Sequence, residues 1–314
     1  MSPDSAPLVS IVVASRDRRE LLGHLLAALD AQTFPHSQRE LIVVDDGSTD
    51  DTLEFLATRA DVHVVRGGGN GPGTARNSGW RIAQAPLIVF TDDDCEPTPG
   101  WLQALVDQAG RKPGAVVQGP VAPNPAQADQ FGPMARSLEI NGLSPHFETA
   151  NILYPRDLLE RLGGFDENFG SPAGEDTDLG WRAMAAGAEH VFAPEALVYH
   201  AVHQKTAKQT LKDAFRASDC VRTYRDYPHM REHLQDGIYF HPSHPLVWQA
   251  ACAAVLAPAI PAAGVFAVPY AAHLYKRCRL TGSKPSAMPF FVLRDIVEIG
   301  AVVRGAVKHR TLLL

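Results

Sequence analysis

The sequence lacks several features that would assign it to a specialised class of protein. Its four cysteines are scattered and none belongs to a C-x-x-C pair: Cys95, Cys220, Cys252 and Cys278. This spacing argues against a disulfide framework or a zinc site and makes a reducing cytosol the default compartment. The first residues, MSPDSAPLVS, contain neither the basic residues nor the long apolar core of a signal peptide. We therefore expect the chain to start and stay in the cytosol.

Positive charge is scarce over most of the chain. The sequence has 29 Lys and Arg against 35 Asp and Glu, a net charge of −6. This balance argues against nucleic acid as a partner, because binding to phosphates needs basic patches. The charge is unevenly spread, since residues 273–314 carry +6 and the preceding residues carry −12. An acidic body with a basic tail is an asymmetry that the function has to explain.

Short apolar segments alternate with helical patterns in the first part of the chain. The segments are VSIVVA (9–14), ELIVVDDGS (40–48), VHVVR (62–66) and LIVFT (87–91). Strands and helices that alternate with short connections predict an α/β domain with a mostly parallel sheet. We expect Asp17 to cap the helix that follows the first strand, and Ser48 with Asp51 to form a capping box before the next helix.

Later segments are less regular. AVVQGPV (115–121) predicts a strand, and residues 188–200 predict two short strands separated by Pro194. EDTDLGWRAMAAG (175–187) has the apolar spacing of a helix that stops at Gly187. A polar stretch covers residues 123–148, and residues 120–150 cannot be placed from the pattern.

The stretch FTDDDCEP (90–97) places three aspartates directly after an apolar strand. A solvated turn is one interpretation, because Asp is common in loops. Ligands of such sheets, however, bind beyond the carboxyl ends of the strands, where Asp45, Asp46 and Asp92–Asp94 should meet. Asp92 and Asp94 offer the hard oxygen ligands that Mg²⁺ or Mn²⁺ uses when it serves a diphosphate. This convergence favours a cation site over a solvated turn.

Two further motifs are ambiguous when each is taken alone. Glu175 and Asp176 begin a predicted helix, where a carboxylate can act as a general base or simply cap the helix. His200 ends a predicted strand, and such a residue by itself is more often an ordinary half-buried histidine than a metal ligand.

Taken together, the motifs resemble family 2 inverting glycosyltransferases of the GT-A fold. They are VVASRDR, IVVDDGSTDDT, GTARNSG, FTDDDCEP with GWL, GGFDE, and GEDTDLGWR followed by a histidine, in that order. The resemblance covers roughly residues 8–205. It implies a catalytic domain over residues 1–210 and leaves residues 211–314 as a helical C-terminal region.

The resemblance also implies roles for individual residues. Ala14, Arg16 and Asp46 would line the nucleotide pocket, with Asp46 accepting a hydrogen bond from the base, and Arg76 would reach the base or the phosphates. Asp92, Asp93 and Asp94 would hold the ribose, the diphosphate and Mn²⁺ or Mg²⁺, with Asp94 the principal metal ligand.

For the acceptor side, the resemblance implies that Asp176 deprotonates the acceptor hydroxyl and that Glu175 helps to hold the acceptor. His200 falls where several members place a third metal ligand, and His203 is the less favoured candidate.

Two departures from the family pattern affect the prediction. The usual P-T-Y-N is replaced by Ala14-Ser15-Arg16-Asp17, so Arg16 would have to stack on the base in place of an aromatic ring. The base is therefore open, and UDP is the family's commonest nucleotide. The Q-x-x-R-W signature is absent, which favours transfer of a single sugar over processive synthesis.

The C-terminal region predicts contact with a membrane. Residues 237–275 contain no Asp, Glu, Lys or Arg, but Pro258, Pro261 and Pro269 would interrupt a single straight span. A re-entrant hairpin or interfacial helices fit better, and two short spans stay possible. From Phe290 the pattern predicts an amphipathic helix, with Val292, Ile296, Ile299, Val303 and Val307 opposite Arg294, Asp295, Glu298 and Lys308. Packing on the catalytic domain or on another subunit is the alternative.

The leading hypothesis is a metal-dependent glycosyltransferase on the cytosolic face of the cell membrane, with a lipid-linked or glycan acceptor. A nucleotidyltransferase is the second hypothesis, but the first strand is followed by ASRDR without the glycines that grip a triphosphate. A non-catalytic scaffold that keeps the fold is the third.

Overall fold

A computed structural model describes residues 6–132, 134–169 and 173–314. Residues 1–5, the start of the N-terminal stretch considered above, lie outside the described residues. The strands are β1 (Val9–Ser15), β2 (Arg39–Asp45), β3 (His63–Arg66), β4 (Leu87–Phe90), β5 (Cys95–Pro97), β6 (Val116–Gln118), β7 (Val121–Pro123), β8 (Ala135–Arg136), β9 (Ile152–Pro155), β10 (His190–Phe192), β11 (Val198–His200) and β12 (His203–Gln204).

The α-helices are α1 (Arg19–Asp30), α2 (Thr52–Leu56), α3 (Pro72–Ile82), α4 (Trp101–Arg111), α5 (Arg156–Leu162), α6 (Glu175–Ala185), α7 (Ala207–Phe215), α8 (Ala217–Asp226), α9 (His244–Leu256), α10 (Val268–Leu280) and α11 (Met288–His309). Short 3₁₀ helices cover His36–Gln38, Pro125–Gln130, Thr149–Asn151, Pro228–His233, Pro261–Ala267 and Pro285–Ala287.

The chain folds into two compact units. The first contains the described residues of 1–128 and 137–202, and the second contains residues 129–136 and 203–314. The domain boundary predicted at residue 210 stays a prediction.

The first unit is built on a seven-stranded sheet of the described residues, in the order β10-β6-β9-β4-β1-β2-β3. Strands β4, β1, β2 and β3 run parallel, as do β6 and β10, whereas β9 is antiparallel to both of its neighbours. The predicted α/β class with a mostly parallel sheet is therefore confirmed. A second sheet, in the order β5-β11-β7, adjoins the carboxyl end of β4 through β5.

Both faces of the seven-stranded sheet are covered by helices, which explains why its strands are almost continuously apolar. Along β1, Ile11 and Val13 point to one core and Val12 to the other. The leucines of α1 and Trp101 of α4 fill the first core. Residues of α3 and α6, such as Trp80, fill the second core. This three-layer packing fixes the strand ends that carry the polar residues.

The two predicted helix caps are wrong. The N-cap residues of α1 and α2 are Arg18 and Asp51, and neither side chain forms a capping hydrogen bond. Asp17 has φ +52° and its carboxylate accepts hydrogen bonds from Thr49, at 2.6 Å from the backbone nitrogen. The Ser48 hydroxyl accepts a hydrogen bond from the backbone of Asp17. Because parallel strands end at the same edge of the sheet, these residues link two adjacent loops instead of capping helices.

The second unit consists mainly of helices α7 to α11, with β8 and β12 paired as a short antiparallel ladder. No helix in the described ranges combines the length and apolar composition that a membrane crossing requires.

The polarity predicted for α11 is wrong in part. Asp295 is 0% exposed and Glu298 is buried, although both were expected on the polar outer face. Asp295 accepts hydrogen bonds from Arg277 at 3.0 Å and from Tyr270 at 3.1 Å, within the second unit. The acidic side of the helix is buried because α10 supplies an arginine and a tyrosine to pair with it.

Candidate active site

Polar residues of the first unit collect at the carboxyl edge of the sheet. The loops after β1, β2 and β4 supply Arg16–Arg18, Asp45–Asp46 and Asp92–Asp94. The amino end of α6 supplies Glu175 and Asp176. The predicted convergence of strand-end carboxylates is therefore present in the fold, and the contacts of each residue show how that negative charge is compensated.

Asp46 is buried and is held by a glycine-rich loop. Its Oδ1 accepts hydrogen bonds from the backbone nitrogens of Gly69 (2.9 Å) and Asn70 (3.2 Å), and its Oδ2 accepts one from Gly71 (2.9 Å). A β-carbon at Gly67 would lie 2.9 Å from Asp46 Oδ1, so a larger residue does not fit there. Asp46 thus orders the loop between β3 and α3. Its predicted hydrogen bond to a base stays a prediction.

Arg16 and Ala14 lie beside this loop and the end of β1. The Arg16 side chain is more than half exposed and forms a 3.7 Å ion pair with Asp17. Its Nη1 lies 3.5 Å from the position that a β-carbon at Gly69 would take. Ala14 is part-buried near the end of β1, against the second core. Their contacts with a nucleotide stay a prediction.

Arg76 joins two carboxylates that come from distant parts of the chain. Its Nη2 donates to Asp92 Oδ1 at 2.7 Å and its Nη1 donates to Glu175 Oε1 at 3.3 Å. Arg76 and Glu175 are buried, whereas Asp92 is partly exposed. Burial raises the pKa of Glu175, and the charge of Arg76 opposes that rise. This ion-pair chain connects the end of β4 to the start of α6.

Asp93 and Asp94 are both paired with Arg18, a residue that the sequence analysis did not assign to the site. Arg18 Nη1 donates to Asp93 Oδ1 at 2.9 Å and to Asp94 Oδ2 at 2.7 Å. Burial raises the pKa of Asp93 to about 6 even though Arg18 lowers it. The signal in the sequence was electrostatic: several carboxylates at one sheet edge require nearby cations, and the loop ASRDR carries two arginines.

Asp94 and His200 have the chemistry of two metal ligands. The pairing of β11 with β5 places His200 opposite Cys95, and His200 Nε2 lies 3.5 Å from Asp94 Oδ1. His200 Nδ1 lies 2.8 Å from the carbonyl oxygen of Ala201, an arrangement that assigns the ring proton to Nδ1. Nε2 is then the ring nitrogen that faces the carboxylate and that a metal ion would use. A carboxylate and an imidazole whose other nitrogen is held by a carbonyl oxygen fit a divalent cation.

Asp176 has different surroundings from Glu175, its neighbour in sequence. It is part-buried, and its Oδ1 accepts a hydrogen bond from the backbone nitrogen of Thr177 at 2.8 Å. Burial and the adjacent Glu175 raise the pKa of Asp176 well above its usual range. A carboxylate with a raised pKa at a helix terminus is suited to accept a proton. The predicted role as the base stays a prediction.

A cleft of 220 Å³ opens beside this group of residues. It is lined by Gly69, Asn70, Gly71, Pro72, Gly73, Thr74, Asp166, Glu167, Phe169 and Glu175. Glu175 therefore faces both the cleft and the ion-pair chain, which puts the start of α6 next to a space that a small polar ligand can enter.

The amino-acid sequence matches a known family over about half of its length. The family described as "Glycosyl transferase family 2" matches residues 10–163. A validoxylamine A glucosyltransferase of Streptomyces hygroscopicus subsp. jinggangensis (strain 5008) is 29% identical over 268 residues, which cover 73% of this chain and 63% of that protein. The chain spans less than two thirds of the length of the first curated relatives that it matches.

Solved structures share the fold. The mannosyltransferase PcManGT of Pyrobaculum calidifontis, in complex with GDP-Man and Mn²⁺, gives a TM-score of 0.62 at 21% identity, over 96% of this chain and 88% of that chain. S. aureus TarS 1-349, in complex with UDP, gives a TM-score of 0.53 at 15% identity, over 96% of this chain and 92% of that one. At these identities the likeness concerns the fold.

Proposed function

This chain belongs to glycosyl transferase family 2 and has a GT-A fold, and we propose that it transfers one sugar from a nucleotide-diphosphate sugar to an acceptor hydroxyl with inversion. The observation that carries the proposal is the grouping of Asp94 with His200 beside the Asp92–Arg76–Glu175 chain. Two ligands for a divalent cation, next to a buried chain of ion pairs, are suited to binding of a diphosphate. A nucleotidyltransferase would need a triphosphate-gripping loop in place of ASRDR.

Asp94 and His200 would hold Mn²⁺ or Mg²⁺, with Asp92 close by. When bound, the ion would neutralise negative charge on the leaving diphosphate. A protein of the same fold has GDP-Man and Mn²⁺ bound, which supports a divalent cation beside the donor diphosphate in this chain. Asp46, Arg16 and Ala14 would line the nucleotide pocket, and a UDP-sugar is the proposed donor.

The transfer itself needs one proton acceptor. The acceptor oxygen attacks the anomeric carbon from the face opposite the diphosphate, so the bond from that carbon to the phosphate oxygen breaks as the new bond forms. Asp176 takes the proton of the acceptor hydroxyl, and the diphosphate leaves with the bonding electron pair. Glu175, fixed by Arg76, orients the acceptor. No covalent bond between sugar and enzyme is formed.

The acceptor is proposed to be lipid-linked or a glycan, at the cytosolic face of the cell membrane. Support comes from residues 255–268 of the second unit, here called the apolar segment. This segment has no charged residue, and its large side chains are exposed, with Val255 at 78% and Val265 at 63%. Lys276 and Arg279 follow on the exposed surface of α10. Exposed apolar residues next to basic ones fit the surface of an anionic bilayer.

Release of nucleotide diphosphate from a panel of sugar nucleotides tests the proposed reaction. The panel contains UDP-sugars and GDP-Man, and each donor is assayed with Mn²⁺, with Mg²⁺ and with EDTA. We expect release from one donor with a metal ion present and a fall of about 100-fold or more in EDTA, because Asp94 and His200 alone cannot stabilise the leaving diphosphate. Release that is unaffected by EDTA would refute the metal requirement. Failure of every donor both to react and to bind would favour a non-catalytic scaffold.

A further inference from the structure

A single guanidinium nitrogen lies between the two carboxylates that are proposed to serve the donor diphosphate and the metal ion. Arg18 Nη1 contacts Asp93 Oδ1 at 2.9 Å and Asp94 Oδ2 at 2.7 Å. The side chains of Asp93 and Asp94 are 6% and 7% exposed, whereas that of Arg18 is 43% exposed. The two carboxylates are thus buried, and the arginine that contacts both of them reaches in from solvent.

Both contacts of Arg18 use the same nitrogen. An arginine is held most firmly on a carboxylate when two nitrogens form a two-pronged pair, and Arg18 does not form that pair with either aspartate. Its attachment is therefore weaker than the strongest arrangement of its type. A guanidinium is also well matched to phosphate oxygens, with which it forms two parallel hydrogen bonds.

A divalent cation and Arg18 compete for Asp94. Its Oδ1 faces His200 Nε2 at 3.5 Å and its Oδ2 is bound by Arg18. An ion between Asp94 and His200 would lie within a few ångströms of the guanidinium, and like charges at that distance repel each other strongly where water is partly excluded. Arg18 in this position therefore weakens binding of the metal ion alone.

We propose that Arg18 neutralises Asp93 and Asp94 in the absence of donor, and moves to the diphosphate when a nucleotide-diphosphate donor and a metal ion bind together. This inference rests on the proposed function. Arg18 is then a gate against metal ions without nucleotide and a ligand of the donor phosphates. By linkage, nucleotide raises the affinity for the metal ion by the same factor as the metal ion raises the affinity for nucleotide.

Binding of Mn²⁺, followed through the electron paramagnetic resonance signal of the free ion, tests the inference without any turnover. The wild-type protein, Arg18→Ala, Arg18→Gln and Arg18→Lys are titrated with Mn²⁺ alone and then with UDP or GDP present. Arg19→Ala is the matched control, because Arg19 is the next residue, its side chain is 47% exposed, and it contacts Asp51 and the Phe55 ring. Thermal unfolding of each variant verifies that it is folded.

Removal of the Arg18 charge should raise the affinity for Mn²⁺ alone and lower the affinity for the nucleoside diphosphate with Mn²⁺. We expect Arg18→Ala and Arg18→Gln to bind Mn²⁺ alone about fivefold more tightly, the Coulombic effect being reduced by solvent exposure. We expect them to bind the nucleoside diphosphate with Mn²⁺ about tenfold more weakly, since charge-assisted bonds to phosphate are lost. Arg18→Lys keeps the charge, so both of its affinities should fall between those of the neutral variants and those of the wild type. Both affinities of Arg19→Ala should match those of the wild type.

Two results would overturn the inference, and they differ in what else they overturn. If the wild type binds Mn²⁺ with nucleotide but neither neutral variant binds Mn²⁺ alone more tightly, Arg18 does not compete with the ion and only this inference fails. If the wild type binds no Mn²⁺ with UDP or GDP present, the proposed metal chemistry fails and this inference fails with it.

Discussion

At the scale of single residues, the two neighbouring acids at the start of α6 have separate environments. Glu175 is buried and paired with Arg76, which ties it to the end of β4 through Asp92. Asp176 is part-buried, and its Oδ1 accepts a hydrogen bond from the backbone nitrogen of Thr177. Arg76 neutralises Glu175, whereas Asp176 forms no ion pair with any residue that the structure describes, so we expect Asp176 to be the better proton acceptor of the two.

Replacing these acids one at a time separates their roles. We expect Asp176→Asn to lower kcat by about 10²–10⁴-fold and to leave donor and Mn²⁺ affinity near wild type, because the amide cannot accept the acceptor's proton. The measurement is steady-state transfer, combined with equilibrium binding of the nucleotide.

Glu175→Gln serves as the matched comparison. It keeps the shape of the side chain but removes the negative partner of Arg76, so we expect a change mainly in substrate affinity. If Asp176→Asn retains wild-type kcat while Glu175→Gln loses it, the base has been assigned to the wrong residue.

The sequence predicted the carboxylates of the site better than their partners. Asp46, Asp92–Asp94, Glu175 and Asp176 follow strands or begin a helix, and position relative to an element is encoded locally. The partners are not local: Asp46 is held by amides 23 to 25 residues away, and Arg76 reaches Glu175 across 99 positions. No periodic pattern specifies such pairings, which is why Arg18 was missed.

At the scale of elements, α6 is positioned by a glycine that contacts an aromatic ring. A β-carbon at Gly180 would lie 2.0 Å from Cγ of Phe147. Phe147 is buried and also packs against Trp181 and His190. Phe147 belongs to the polar stretch that the sequence pattern could not place, so this contact could not be predicted from the sequence. The close approach sets the distance from α6 to the second core.

Substitution of this glycine tests that packing. We expect Gly180→Ala to destabilise the protein by about 1–3 kcal/mol, because the ring of Phe147 must move in a filled core. Gly110→Ala is the control, since Gly110 is also helical and has no atom within 4 Å of an added β-carbon. It should be neutral or stabilising by up to about 1 kcal/mol. Thermal unfolding of the two variants measures both effects, and equal destabilisation would show that the contact does not position α6.

Helix α11 illustrates a limit of periodic patterns. The spacing identified which residues share a face, but a pattern does not state which face is buried. Asp295 is inside because Arg277, Arg294 and Tyr270 satisfy its oxygens. Burying a carboxylate is costly unless it is paired in this way. The pairing involves α10, which sequence reasoning had assigned to a membrane-facing segment.

At the scale of the whole molecule, the acidic part of the chain carries the proposed donor site, and the basic part carries the exposed apolar segment. The acidic body contains the sheet with its proposed donor site, and the basic tail belongs to the second unit. The apolar segment precedes α10, and Lys276 lies eight residues beyond Val268, about 12 Å along a helix. A segment that enters the lipid headgroup layer would therefore place basic residues near the phosphates.

Sedimentation with lipid vesicles tests this arrangement. We expect the protein to pellet with vesicles that contain anionic lipid, to bind neutral vesicles less, and to lose binding as salt rises. Replacing both Val265 and Phe266 with Glu should abolish binding, because charge then enters the apolar layer. Leu143→Glu in the first unit is the control, since Leu143 is similarly exposed. A dimer in solution that the double variant converts to a monomer, without vesicle binding by the wild type, would assign the segment to self-association.

Residues 129–136 belong to the second unit although they lie between two parts of the first unit in sequence, and this order affects folding during synthesis. Residues 129–136 leave the ribosome well before residues 203–204, yet β8 pairs with β12. Strand β8 therefore stays without its partner while residues 137–202 of the first unit emerge from the ribosome. A gene cut after codon 202 would leave this orphan strand attached to the first unit. Isolation of that unit would therefore require removal of residues 129–136 as well as of the residues after 202.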